Sequence, residues 1–197
     1  MRKMNIHSKA YIFDLDGTLL DSMSVWTDID KNFLKNRKIP VPKDFSKNIL
    51  GMNFSEAAAY VIERFNLRDT VEELIHEWKN MAEFAYENTV QMKPYAKEFL
   101  ADLRASGAKL AVATSLAREL YEPALKKQGI YDWFDAICDS DEAGCGKSRP
   151  DIFLLTAKKL GVNPEDCVVF EDILAAVESA KSIGMKVFGV FDKTSQA

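Results

Sequence analysis

Apolar positions along the chain fall into two textures. From residue 22 to residue 90 they recur at intervals of three and four, as in Phe54 to Phe65 and Val71 to Tyr86, with almost no β-rich run between them. That spacing belongs to helices with one buried face. Pro40, Pro42 and Gly51 divide the block into several such helices. From about Tyr95 short apolar runs alternate with helical segments. The pattern predicts a helix over 95–105 that ends at Gly107, a strand at Leu110 to Ala113, and a helix over 117–128 that stops at Gly129. A strand at Phe134 to Cys138 follows, then a helix over 150–160 opened by Pro150 and closed by Gly161. The last elements are a strand at Cys167 to Phe170, a helix over 173–183 closed by Gly184, and a strand at Lys186 to Phe191. One further strand, ending at Ile12-Phe13, precedes the helical block.

Strands that alternate with helices predict an α/β fold, a parallel sheet covered by helices on both faces. The helical block follows the first strand, so it reads as an insertion into that sheet domain. The expected division is 1–19 with 91–197 for the sheet domain and 20–90 for the insertion. Residues Lys193 to Ala197 read as a frayed tail.

Composition narrows the class. With 197 residues, 47% of them hydrophobic and 28% charged, the chain suits a soluble globular protein of one domain plus a small inserted one. A formal net charge of -4 and the lack of a long basic run argue against nucleic acid as partner. No apolar stretch approaches the roughly 20 residues that span a bilayer, and the apolar run after Arg2, Lys3 and Lys9 stops at Asp14, too soon for a secretory leader. Cys138, Cys145 and Cys167 are odd in number and lack metal spacing, as expected of reduced thiols in a cytoplasmic protein. His7 and His76 are too few for a histidine metal cluster and read as surface residues.

The candidate chemistry sits at the strand ends, where open α/β sheets bind ligands. Ile12-Phe13-Asp14-Leu15-Asp16-Gly17-Thr18 runs an apolar strand into two acids one residue apart. Such carboxylates repel and need a cation or a shared proton; an aspartate that simply caps a turn explains Asp14 but not Asp16, Gly17 and Thr18. Leu110 to Ala113 leads into Thr114-Ser115, of which an N-cap for helix 117–128 would explain one hydroxyl. Lys147 lies in a glycine-rich loop, where a solvated lysine is the plain alternative. Cys167 to Phe170 leads into Glu171-Asp172, adjacent acids at a buried strand end that suit a metal. Gly144-Cys145-Gly146-Lys147-Ser148 is not a nucleotide P-loop, because Asp141 stands where the first glycine belongs. Trp26, Trp78 and the other aromatic residues of the helical block read as core.

Four segments in this order, Asp14-Leu15-Asp16-Gly17-Thr18, Ala113-Thr114-Ser115, Gly146-Lys147-Ser148-Arg149-Pro150-Asp151 and Val169-Phe170-Glu171-Asp172, resemble the motifs of the haloacid dehalogenase superfamily, in its β-phosphoglucomutase-like phosphatase branch. The resemblance covers essentially the whole chain. It implies a Rossmann-like parallel sheet core with an inserted cap of four-helix type that closes over the site. It also implies a Mg2+-dependent phosphatase acting on a small phosphorylated metabolite, such as a sugar phosphate, through an aspartyl-phosphate. Asp14 would be the nucleophile. Asp16 would be the general acid and base, with its backbone carbonyl on the metal. Asp14, Asp16, Asp172 and Glu171 would form the metal site, and Lys147 would neutralise the transferring oxygens. Thr114, Ser115 and Lys147 would bind the phosphoryl group, aided by the helix N-terminus that follows. Thr18 would hold the acid-base loop, and Gly51 would sit in the substrate-facing loop of the cap.

The mutases of that branch carry a His and an Arg where this chain has Trp26 and Phe54. Neither replacement suits the second phosphate of a sugar bisphosphate, which favours hydrolysis over the mutase alternative. The loop Gly51 to Ser55 holds no basic residue, which favours substrates with one phosphate, although Lys31, Arg37 and Arg64 could reach in. Ile173 and Ala176 replace the usual Ser and Gly after the fourth motif, and Ser148 the usual Pro of the third. These changes affect local packing and loop stiffness more than charge. A carbon–halogen hydrolase is disfavoured by Asp16, and a non-catalytic binding protein by the intact set of Asp14, Asp16, Lys147 and Asp172. A monomer is expected, since a cap must move.

Overall fold

The computed structural model describes residues 8–49 and 52–194. Five parallel strands form one sheet: β1 (Ala10–Phe13), β2 (Lys109–Thr114), β3 (Ala136–Asp139), β4 (Cys167–Glu171) and β5 (Lys186–Gly189), in the order β3-β2-β1-β4-β5. β1 is central, with Ile12 opposite Ala111 on one side and Val169 on the other. Flanked on both edges and covered on both faces, its four residues are all buried, hence the unbroken apolar run Ala-Tyr-Ile-Phe.

Alternate side chains of the strands enter two cores. Tyr11, Phe13, Leu110, Val112 and Val168 face one, and Ala10, Ile12, Ala111, Ala113 and Val169 the other. Helices α5 (Ala96–Ala105) and α6 (Arg118–Lys127) bury Leu100, Leu120 and Leu125 in the first; α8 (Asp151–Leu160) and α9 (Leu174–Ser182) bury Ile152, Phe153, Ala176 and Ala180 in the second. The sheet therefore carries helices on both faces, as its alternating pattern predicts.

Between β1 and β2 lie α1 (Met23–Asn36), α2 (Phe45–Ile49), α3 (Phe54–Phe65) and α4 (Val71–Asn88). Their apolar stripes meet in Phe33, Leu34, Phe45, Ala58, Val61, Leu74 and Trp78, a cluster continuous with the first sheet core. Phe33 and Trp78 meet edge to face at 5.5 Å. Both α3 and α4 open with capping boxes, Asn53 with Glu56 and Thr70 with Glu73. The chain enters and leaves this block side by side, through Asp21 N–H to Gln91 O at 2.9 Å and Lys93 N–H to Leu19 O at 2.8 Å.

Some boundaries differ from the expectation. β3 begins at Ala136 because Tyr131–Trp133 winds into a 3-10 turn. β5 ends at Gly189, short of Phe191, while Val190 N–H still reaches Glu171 O at 2.8 Å. A short helix, α7 (Ser140–Ala143), follows β3 directly, capped by Asp139, and has no counterpart in the periodicity. The three cysteines are free and buried, and His76 meets Asn80 at the surface. His7, Gly51 and residues 195–197 lie outside the described residues. Among those described, no helix is long and apolar enough to cross a membrane.

Two substitutions in α4 separate core from cap. Leu74 is fully buried, so Leu74→Ala is expected to cost about 2–5 kcal/mol in urea denaturation. Thr70→Ala, which removes one cap, should cost only about 1 kcal/mol.

Candidate active site

The strand order turns back between β1 and β4, and at such a switch point the loops leaving the two carboxyl ends diverge and open a crevice. Asp14 is the first residue beyond β1, and its N–H extends the ladder to Phe170 O at 3.0 Å. Glu171 is the last residue of β4 and Asp172 the next. The turn after Asp14 is held by Leu15 O, which accepts from the N–H groups of Thr18, Leu19 and Leu20 at 3.2, 2.9 and 2.7 Å. Gly17 lies at φ +82°, and a Cβ there would fall onto Asp172 Oδ2. Glycine is thus required twice, by the backbone angle and by the approach of Asp172.

Lys147, delivered by the loop after α7, is buried and donates to Asp14 Oδ1 and, at 2.8 Å, to Glu171 Oε2. Glu171 Oε1 accepts from the backbone N–H groups of Asp172 and Ile173, each at 3.1 Å. Burial alone would pull the Lys147 ammonium down, but Asp14 and Glu171 outweigh it and hold it above its ordinary value. Burial raises the Asp14 carboxyl to about 7 against the pull of Lys147, and the charges of Glu171 and Asp16 push the same way. Asp14 Oδ2 is buried with no hydrogen-bond partner, and ligand atoms of Asp14, Glu171 and Asp172 lie within 4.8 Å of one another. An unpartnered carboxylate oxygen in an all-oxygen cluster suits a hard divalent cation such as Mg2+. Within that cluster Glu171 has both oxygens engaged already, so it serves Lys147 more directly than a metal.

Asp16 is held differently. Its Oδ1 accepts from Ser22 Oγ and Tyr86 Oη, both at 2.5 Å, and its Oδ2 from Trp26 Nε1 at 3.3 Å. Trp26 Nε1 also donates to Tyr86 Oη at 2.7 Å. Burial raises the Asp16 carboxyl, opposed by these donors. With two donors on Oδ1, a proton on this carboxyl belongs on Oδ2.

Asp14, Asp16, Thr114, Ser115 and Lys147 line one cavity of about 170 Å3. The two hydroxyl residues are not caps of α6, whose N-cap is Ala117 without a side-chain bond. Thr114 Oγ1 accepts from Leu116 N–H at 3.0 Å, and Ser115 Oγ lies 3.2 Å from Ser140 Oγ. Thr18 is buried, but its hydroxyl has no hydrogen-bond partner, so the backbone rather than that side chain holds the loop. Lys31, Arg37 and Arg64 do not line the cavity. They pair instead with Asp28, with Asp69 and Glu77, and with Asp44.

Trp26 corrects the reading of the aromatic residues as core alone. Trp78 is core, whereas Trp26 is half-buried, lines the cavity and touches Asp16. Ser22, Tyr86 and Glu56 were not anticipated either. Glu56 Oε1 accepts from Gly146 N–H at 3.0 Å, tying α3 to the loop that carries Lys147. Nothing local in the sequence marks Tyr86, whose hydroxyl meets Asp16 only once α4 has packed beside the turn after β1.

Residues 8–184 match the family of haloacid dehalogenase-like hydrolases. The chain belongs to that family. It is 30% identical over 186 residues to the phosphorylated carbohydrates phosphatase of Thermotoga maritima, covering 92% of this chain and 85% of the relative. It is 29% identical over 189 residues to the β-phosphoglucomutase of Bacillus subtilis, covering 92% and 83%. The crystal structure of a hydrolase from Pseudomonas syringae superposes with a TM-score of 0.80 at 25% identity, over 95% of this chain and 88% of that one. This hydrolase therefore has relatives with two outcomes for a bound phosphoryl group.

Lys147→Met leaves two buried carboxyls without their cation. In metal-free buffer at about pH 8 the variant should lose about 3–5 kcal/mol in urea denaturation and regain part of it near pH 5. Burial raises both carboxyls above their unfolded values. The folded state then binds protons that the unfolded chain has released, and stability rises as pH falls.

Proposed function

We propose that this hydrolase is a Mg2+-dependent phosphatase of small phosphorylated metabolites, working through an aspartyl-phosphate. The observation that carries the reading is Asp14 buried against Lys147, with Asp16 two residues on in the same cavity. Asp14 attacks phosphorus through a carboxylate oxygen as the bond to the leaving oxygen breaks, and Asp16 Oδ2 gives that oxygen its proton. Asp16 then takes a proton from water, whose oxygen attacks phosphorus, releasing inorganic phosphate and restoring Asp14. Lys147 neutralises charge on Asp14 and the transferring oxygens. Ser115, Thr114 and the N-terminus of α6 receive the phosphoryl oxygens. Asp14, Asp172 and the Asp16 carbonyl would hold the metal, with Glu171 holding Lys147. The metal supplies charge neutralisation, the main demand of phosphoryl transfer.

Residues 20–90 act as the cap in this reading, with α1 and α4 bringing Trp26 and Tyr86 to Asp16. Hydrolysis is favoured over mutase chemistry because, among the described residues, Lys147 is the sole cation lining the cavity. Among the described residues that line the Trp26 and Phe54 end, none is a cation that could receive a second phosphate.

Phosphate release from a panel of phosphomonoesters should require Mg2+ and vanish in Asp14→Asn. Mg2+ at a hundredfold excess over its Kd should stabilise the wild type by about 2.7 kcal/mol. At one fixed Mg2+ concentration the effect should be larger at about pH 8 than at pH 5, since metal ligands must be ionised and Asp14 sits at about 7 without the ion. Release that persists in Asp14→Asn would overturn the aspartyl-phosphate.

Tyr86→Phe removes one donor from Asp16, worth about 1.5–3 kcal/mol or roughly 10- to 100-fold. That loss should appear in kcat/KM for alkyl phosphates, whose leaving oxygen needs a proton. For p-nitrophenyl phosphate, whose leaving group needs none, kcat/KM should change little. An equal loss on both substrates would indicate damage to the fold rather than a misplaced acid.

A further inference from the structure

Resting on the phosphatase reading, we infer that the group carried by the phosphate is a flat aromatic or heteroaromatic ring rather than a sugar. Beyond the phosphoryl end the cavity is walled by Met23, Trp26, Ile49, Met52 and Phe54. The rings of Trp26 and Phe54 stand 5.7 Å apart at 64°, an edge-to-face pair. Neither ring is free to turn away. Trp26 Nε1 is tied to Tyr86 and Asp16, and Phe54 packs against Trp78 at 6.4 Å. With its N–H committed to protein partners, Trp26 meets a ligand through its π-surface.

Among the described residues, the polar groups that line this end are too few for a sugar. Thr27 Oγ1 donates to Met23 O at 3.1 Å, and Asn53 Oδ1 accepts from Glu56 N–H at 2.8 Å. Asn53 retains its amide hydrogens, and Asp30 adds a carboxylate. A hexose would bring several hydroxyls to this wall and leave most of them buried without partners, a cost its ring carbons do not offset. A ring that stacks on or abuts Trp26 and Phe54 desolvates no such groups.

The test uses ligands matched in phosphate chemistry. Benzyl phosphate and glucose 6-phosphate both leave as primary alkoxides, so intrinsic reactivity does not separate them. The wild type should show kcat/KM at least tenfold higher for benzyl phosphate, and in Phe54→Ala the ratio should fall towards one. Independently of turnover, calorimetry on the wild type should find benzylphosphonate bound at least tenfold tighter than methylphosphonate. Turnover with equal or greater preference for glucose 6-phosphate overturns the inference and leaves the phosphatase reading intact. So does equal affinity for the two phosphonates. No turnover of any ester, with benzylphosphonate still preferred, overturns the phosphatase reading and keeps the ring site.

Discussion

The structure turns on one buried cation. Lys147 lies between Asp14, the residue just beyond β1, and Glu171, the last residue of the adjacent strand β4, and arrives on a loop that follows β3 and α7. Two carboxylates at neighbouring strand ends in a dry interior repel, and each costs several kcal/mol to desolvate. One ammonium placed between them turns that repulsion into a three-point clamp across the switch point of the sheet. Glu171 is itself fixed by the backbone N–H groups of Asp172 and Ile173. The geometry of Lys147 therefore passes to the turn that carries Asp172, and through Gly17 to the turn that carries Asp16.

Much of this was legible in the sequence. The strands next to the site are short, almost wholly buried and bounded by abrupt polar residues, so β1, β2 and β4 are visible as apolar runs with chemistry at their ends. Asp14, Asp16, Thr114, Ser115 and Asp172 stand at those ends, Lys147 arrives on the loop after α7, and the sheet order brings them together. Local signals failed where partners are remote. Tyr86 lies 70 residues from Asp16, and Glu56 lies 90 from Gly146. Helical periodicity identifies both as parts of amphipathic helices but not which polar tip turns inward. Trp26 misled for the same reason: an aromatic residue on a helix stripe looks like core, and here its indole nitrogen is the part that matters.

The helical block is consequently more than a cover. Its core is continuous with one face of the sheet, and its side chains hold the acid-base residue of the proposed mechanism. Ser22 stands at the entrance to α1, Trp26 lies within α1, and Tyr86 lies near the end of α4. An Asp16 carboxyl with two donors on one oxygen has its other oxygen assigned to the proton. That division arises only while α1 and α4 sit where they do, so the position of the block and the readiness of the acid are one variable. Glu56 extends the link to the opposite wall by receiving Gly146 N–H while it closes the capping box of α3.

The cavity is polar at one end and apolar at the other, and the two ends serve each other. Charge neutralisation by Lys147 is strong because the ammonium and its two carboxylates are buried, and Trp26, Phe54 and Leu116 add apolar walls to the same cavity. The same side chains then have to be matched by whatever the phosphate is attached to, since an apolar wall left facing a hydrated ligand would let that water back in. Trp26 joins the two demands. Its ring belongs to the apolar wall and its N–H to the acid, so a group that packs against the ring meets the same side chain that donates to Asp16. In such a site recognition of the leaving group and placement of its proton donor act through a single side chain.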